Sequence, residues 1–192
     1  QQSYIRLFEL KPNIEEAKWE YCKLLILLKE WDRASQILDG LIEIDPNNIE
    51  YLILAGGVEL KKQRYTVAVK YFGQVYEASP AGQYSSEAIT GLIEAFKGLK
   101  NYKSAYLLLE QLFQREKVNQ SLLAELATFS QNLGYLDKAR FYYSTLVNNF
   151  AVDAKIVHNT ALVYDYPGFE KEAAFYWEKY LAYDENYLKA HQ

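Results

Sequence analysis

The sequence predicts an all-α fold, a solenoid of stacked antiparallel helical hairpins, and three observations carry that prediction. Pro12, Pro46 and Pro80 recur at intervals of 34 residues, each closing an apolar-periodic run, where a residue without an N–H stops a helix. Ala34 and Ala68 are 34 apart, Ala105 follows after 37, and Ala139 and Ala173 resume the interval of 34. Composition agrees: hydrophobic residues make up 50% of the 192, and only four prolines and nine glycines interrupt them. That sets disorder aside and favours one domain or a short repeat array over two independent domains. A period of this size marks units that cannot bury their apolar faces alone and so stack on their neighbours.

The units follow in order. Residues 1–14 form half a unit in which Tyr4 and Leu7 fill second-helix slots. The first full unit, 15–48, places Cys22 twelve residues before Ala34, Trp31 three before it and Leu38 four after it, and closes with the Asp-Pro-Asn-Asn turn at 45–48. Unit 49–85 repeats the pattern with Gly56, Tyr65, Ala68, Phe72 and Pro80. A three-residue insertion falls at Ala81-Gly82-Gln83, in a loop where added length costs little. Unit 86–119 carries Ile93, Tyr102, Ala105 and Leu109, with Lys117 in the closing slot. Unit 120–153 carries Ala127, Leu136, Ala139 and Tyr143, closing at Ala151. Unit 154–187 carries Ala161, Ala173 and Trp177, with Glu170 in the aromatic slot, Pro167-Gly168 between its helices and Glu185 in the closing slot; Phe169 is expected to supply the missing ring. Residues 188–192 open a further unit. The position twelve before each alanine is small in four of five units, which lets two helices approach closely.

A small residue in the first helix, aromatic-x-x-Ala opening the second and a terminal proline together resemble the tetratricopeptide repeat. The resemblance covers nearly the whole chain, as about five units from a longer array. It implies an α-α superhelix whose concave inside is lined by the first helix of each hairpin. Carried onto this sequence residue by residue, it implies a partner-binding groove made of Trp19, Lys23 and Ile26; Ile53, Gly57 and Leu60; Thr90, Glu94 and Lys97; Ala124, Thr128 and Gln131; and His158, Leu162 and Asp165. Trp19 is open to two readings, a partner anchor or a ring packed under a neighbouring helix. Members that grip a chaperone's C-terminal carboxylate use a Lys, Asn, Asn, Lys, Arg constellation. The corresponding places here hold Trp19, Lys23, Leu54 and Glu50, so that activity is disfavoured.

Charge and chemistry narrow the function further. A net charge of -4 and a pI near 5.3 argue against a nucleic-acid partner, which requires clustered Lys and Arg. Uncharged apolar stretches such as Leu24 to Leu28 fall far short of the roughly 20 residues that span a bilayer, so a soluble segment without membrane insertion is expected. The single Cys22 excludes an internal disulfide and leaves the compartment, cytoplasm or periplasm, open. Only His158 and His191 are present, with no metal-ligand spacing, phosphate loop or nucleophile elbow, so no enzyme, metal or cofactor is expected. His158 and Asp165 stand seven apart on one helix face and read as a groove-lining polar pair before they read as a catalytic or metal-binding one. The sequon Asn119-Gln120-Ser121 reads as chance, Gly56-Gly57 as close packing, and Lys61-Lys62-Gln63-Arg64 as a solvated turn.

The expected function is a non-catalytic scaffold or adaptor that binds a protein or peptide in its concave groove, as part of a larger multi-repeat protein. The rival is a structural spacer or self-assembly segment of a bacterial secretion or envelope machine, such as one for exopolysaccharide export, with self-association through Tyr4, Leu7 and Phe8 at an exposed end of the array.

Overall fold

A computed structural model describes residues 15–80, 82–115 and 119–190, with the side chains of 184–190 outside that description. The half-unit 1–14, with Tyr4, Leu7, Phe8 and Pro12, lies outside the described residues, as do Ala81, Lys117 and His191. Among the described residues the structure is ten α-helices without a strand. They are α1 (Glu15–Leu27), α2 (Trp31–Ile44), α3 (Ile49–Lys61), α4 (Tyr65–Ala78), α5 (Ser85–Gly98), α6 (Tyr102–Arg115), α7 (Gln120–Asn132), α8 (Leu136–Asn149), α9 (Ala154–Tyr164) and α10 (Glu170–Ala190). They fall into two compact units that divide within α6: one holds α1–α5 and residues 102–108, the other residues 109–115 and α7–α10. α10 continues past residue 187 without a turn.

Two local devices make the hairpins. Three of the first helices, α3, α7 and α9, start on side-chain caps: Asn48, Asn119 and Asp153 accept from the N–H groups of Tyr51, Leu122 and Ile156 at 3.3, 2.9 and 2.9 Å, satisfying donors that the first turn leaves unpaired. The turn to the second helix is a repeated left-handed stop. Lys29, Gln63, Lys100 and Gly134 have φ of 59, 58, 57 and 75°. The residue after each donates its N–H five residues back: Glu30 to Leu25, Arg64 to Glu59, Asn101 to Phe96 and Tyr135 to Ser130, at 2.8–2.9 Å. This six-to-one bond ties off the last carbonyls of the first helix and reverses the chain. The fifth turn departs at Pro167-Gly168, where Gly168 takes φ 95°.

Packing follows the alanine register. Ala34, Ala68, Ala105 and Ala139 are fully buried and Ala173 is 7% exposed. In the first unit, Tyr21, Cys22 and Leu25 of α1 pack with Ala34 and Leu38 of α2 and Ala55 and Val58 of α3; burying a Leu38-sized side chain contributes about 2–3 kcal/mol. A Cβ added to Gly56 or Gly91 would meet the Phe72 ring at 2.8 or 2.4 Å, so the phenyl group is held between two bare backbones, one on α3 and one on α5. In the second unit Leu123, Leu126, Tyr142, Tyr143 and Leu146 are almost fully buried, and Val147, Val157, Ala161 and Tyr176 join α8, α9 and α10.

A polar bond ties two of the successive pairs of second helices, α2 with α4 and α6 with α8. Tyr71 donates to Asp39 at 3.2 Å and Tyr142 to Glu110 at 2.7 Å. These bonds occupy equivalent places: the tyrosine stands three residues after its unit's alanine, and the acid five after the previous one.

Gly91→Ala forces methyl against ring and lowers stability by about 1–2 kcal/mol after allowing for its better helix propensity. At Gly57 nothing lies within 4 Å of an added Cβ, and Gly57→Ala raises stability by about 0.5–1 kcal/mol. Denaturant melts of the two variants check this, and equal effects of the same sign refute the wedge. The Tyr71 seam predicts a pH effect. Burial first, and then the Asp39 carboxylate, push its phenol from 10.0 up to about 12. The stabilisation is fully present below pH 10 and is lost as the pH rises through 12. Melts across that window should show a shallower loss in Tyr71→Phe than in the parent; identical slopes exclude the coupling.

Candidate functional site

The first helices α3 and α5 touch directly, because Phe72 of α4 is small enough in effect, with a glycine on either side, to let them close in. Between them lies an open depression of about 410 Å³ lined by Ile53, Gly57, Leu60, Phe72, Ser86, Glu87, Thr90, Gly91 and Glu94. Its floor is apolar: Ile53 is 6% and Phe72 3% exposed. Its rim is hydroxylic and acidic. Thr90 donates to the Ser86 carbonyl at 2.8 Å, Glu94 is held by Lys97 at 2.8 Å, and Glu87 is exposed. A smaller hollow of about 280 Å³ continues past Leu60 and Glu94 to Lys61, Tyr65, Lys97 and Gly98. The chemistry on offer is recognition, with an apolar socket and carboxylates that favour a cationic neighbour.

Trp19 belongs to a separate hollow of about 410 Å³ with Glu15, Glu16, Asn48, Glu50 and Tyr51. Its ring lies 4.9 Å from that of Tyr51, and the Lys23 ammonium stands 5.5 Å over it while pairing with Glu20. Trp19 is half-buried, with one side of its ring packed on the neighbouring first helix. Tyr51, whose hydroxyl donates to Glu15 at 2.6 Å, is pushed up to about 12 by burial and then by that carboxylate. Ile26 packs against the α1–α3 core.

In the second unit the same register positions engage in local bonds. Thr128 donates to the Ala124 carbonyl at 2.8 Å. Gln131 accepts from the Tyr143 hydroxyl at 2.9 Å. His158 packs its ring against Trp177 at 5.4 Å and Tyr180 at 5.0 Å, on the second helix of its own hairpin. Leu162 is 37% exposed, and Asp165 closes α9 with its N–H on the Leu162 carbonyl at 3.3 Å. Phe169 sits with its ring 5.8 Å from Tyr164 and 4.0 Å beneath the Arg140 guanidinium.

Sequence reasoning passed over Phe72 and Gly91 as parts of the depression. The signal was present: Gly56 and Gly91, one on each flanking first helix, and Phe72, the single phenylalanine of the intervening helix. It also passed over Ser86 and Glu87, which lie one turn before Thr90. Among the described residues no cluster of three metal-ligating side chains occurs, and no helix is long and apolar enough to cross a membrane.

No protein-family model and no curated protein sequence matches the chain. Solved structures do. YrrB, described as a TPR protein with an unusual peptide-binding site, superposes with a TM-score of 0.74 at 18% identity, covering 96% of this chain and 94% of that one. MamA superposes at 0.68 with 20% identity over 88% and 96% of the two chains. A tetratricopeptide repeat protein from Parabacteroides merdae gives 0.58 at 17% identity over 94% and 69%. The alanine register, the repeated hairpin turn and these superpositions agree that the chain has the fold of the tetratricopeptide-repeat proteins.

Proposed function

We propose that this chain is a non-catalytic interaction scaffold, within the five repeats at 15–48, 49–85, 86–119, 120–153 and 154–187, and that it binds an extended protein segment on the face formed by α3 and α5. One observation carries the reading: α3 and α5 gather Ile53, Gly57, Leu60, Thr90 and Glu94 around one open depression with the Phe72 ring as its floor. An apolar side chain of the partner fills the socket, and a Lys or Arg beside it meets Glu87 or Glu94. YrrB, a protein of the same fold, has a peptide-binding site, which supports peptide recognition as the function.

The test fills the socket without disturbing the fold. Gly57→Phe places a ring where nothing lies within 4 Å of the Cβ, and Gly40→Phe on α2, equally open, serves as the control. Selection from a random peptide display library should enrich sequences pairing a large apolar residue with Lys or Arg on the parent and on the control. It should enrich none on Gly57→Phe. Equal enrichment on all three chains excludes the face as the binding site.

A further inference from the structure

The second helices carry a register of their own on the opposite side of the hairpins. In the first unit the seam bond seen at Tyr71–Asp39 has no counterpart one repeat later, because Leu108 stands where the tyrosine is due and Gly73 where the acid is due. A trough of about 550 Å³ opens there between α4 and α6, with Val69, Gly73, Leu92, Phe96, Leu107 and Leu108 among its walls. Nothing lies within 4 Å of a Cβ added to Gly73, and Leu107 is 54% exposed. The α4 rim carries Lys70 at one end and Glu77 at the other, both exposed and two helical turns, about 10 Å, apart.

The same chain displays a matching knob. Phe175 of α10 is 54% exposed and lies on one helix stripe between Lys171 and Glu178, which are also seven residues apart and exposed. Two antiparallel helices from different copies would therefore bring Lys70 opposite Glu178 and Glu77 opposite Lys171 as the phenyl ring enters above Gly73. Phe141, equally exposed at 53%, does not fit as well. Its neighbours Asp137 and Lys138 are already engaged by Arg140 at 2.9 Å and Glu110 at 3.2 Å.

We propose that copies of this chain self-associate by seating Phe175 of one copy in the α4–α6 trough of another. Hole and knob are different surfaces, so the contact is heterologous. It is independent of the first-helix face proposed above.

Sedimentation velocity over a concentration series tests it. Phe175→Ala removes the knob, and Gly73→Leu fills the hole at a site with room for the side chain and a better helix former. Each variant alone should lose self-association by about thirtyfold or more. An equimolar mixture should recover a 1:1 complex, since one variant keeps the knob and the other the hole. Lys70→Glu should weaken assembly, and adding Glu178→Lys should restore it. A parent that sediments as a monomer at every concentration, variants that assemble like the parent, or a mixture that stays monomeric overturns the proposal. Circular dichroism of each variant confirms equal helix content.

Discussion

A phenyl ring held between two glycines sets the spacing on which the first unit depends. Phe72 occupies the large-residue slot four positions after Ala68, and its ring touches the bare backbone of α3 at Gly56 and of α5 at Gly91. Interiors are close-packed, so the thickness of one ring dictates the distance between three helices. With a methyl group on either glycine the helices would separate and the direct meeting of α3 with α5 would be lost. That meeting brings Ile53 and Gly57 opposite Thr90 and Glu94. The other units fill the same slot with Leu38, Leu109, Tyr143 and Trp177, so the phenyl-between-glycines arrangement belongs to this unit's sequence and not to the repeat in general.

Polar groups fix the order of hairpins where apolar contact alone is permissive. Glu59 stands nine residues before Ala68, a place held in other units by Leu25, Phe96, Ser130 and Tyr164. It is 4% exposed. Its carboxylate accepts from the Ser35 hydroxyl of the preceding hairpin at 2.7 Å and lies 3.6 Å from Lys62 and 3.7 Å from Arg64. Lys62 reaches back to Asp32 at 3.0 Å and holds that exposed carboxyl below its ordinary range, through a hydrogen bond first and its charge second. A buried acid of this kind adds little net stability, since desolvation offsets attraction. It penalises any slip that would separate it from Ser35 and the two cations, so its contribution is to register.

The repeat was legible because its determinants are single residues at a fixed interval: five buried alanines, and a small residue twelve positions before four of them. The irregular fifth turn was legible too, and Phe169 does meet Tyr164 and Arg140. What lay beyond the sequence depends on pairs. The tyrosine-to-acid seam joins residues 32 apart, and neither partner is unusual alone. The outer trough is marked only by the failure of that pair at Gly73 and Leu108. His158 illustrates the converse: its register position pointed to the first-helix face, but two rings of α10 lie within 5.0–5.4 Å of it and take the imidazole into the hairpin's own packing. A position in a repeat fixes a direction, whereas exposure depends on how large the neighbouring side chains are.

Phe72 and Gly73 divide the two faces of the first unit by a single peptide bond. The ring lines the depression between α3 and α5, and the glycine beside it lines the trough between α4 and α6. No side chain contributes to both, because successive residues of a helix point about 100° apart. A peptide on one face and a second copy on the other would therefore compete for no atom. In the proposed assembly every added copy brings another depression, so a partner with two recognition segments gains from effective concentration in place of stronger contacts at either one. Self-association and client binding are then one device: weak single sockets become a selective receptor for partners that repeat their signal.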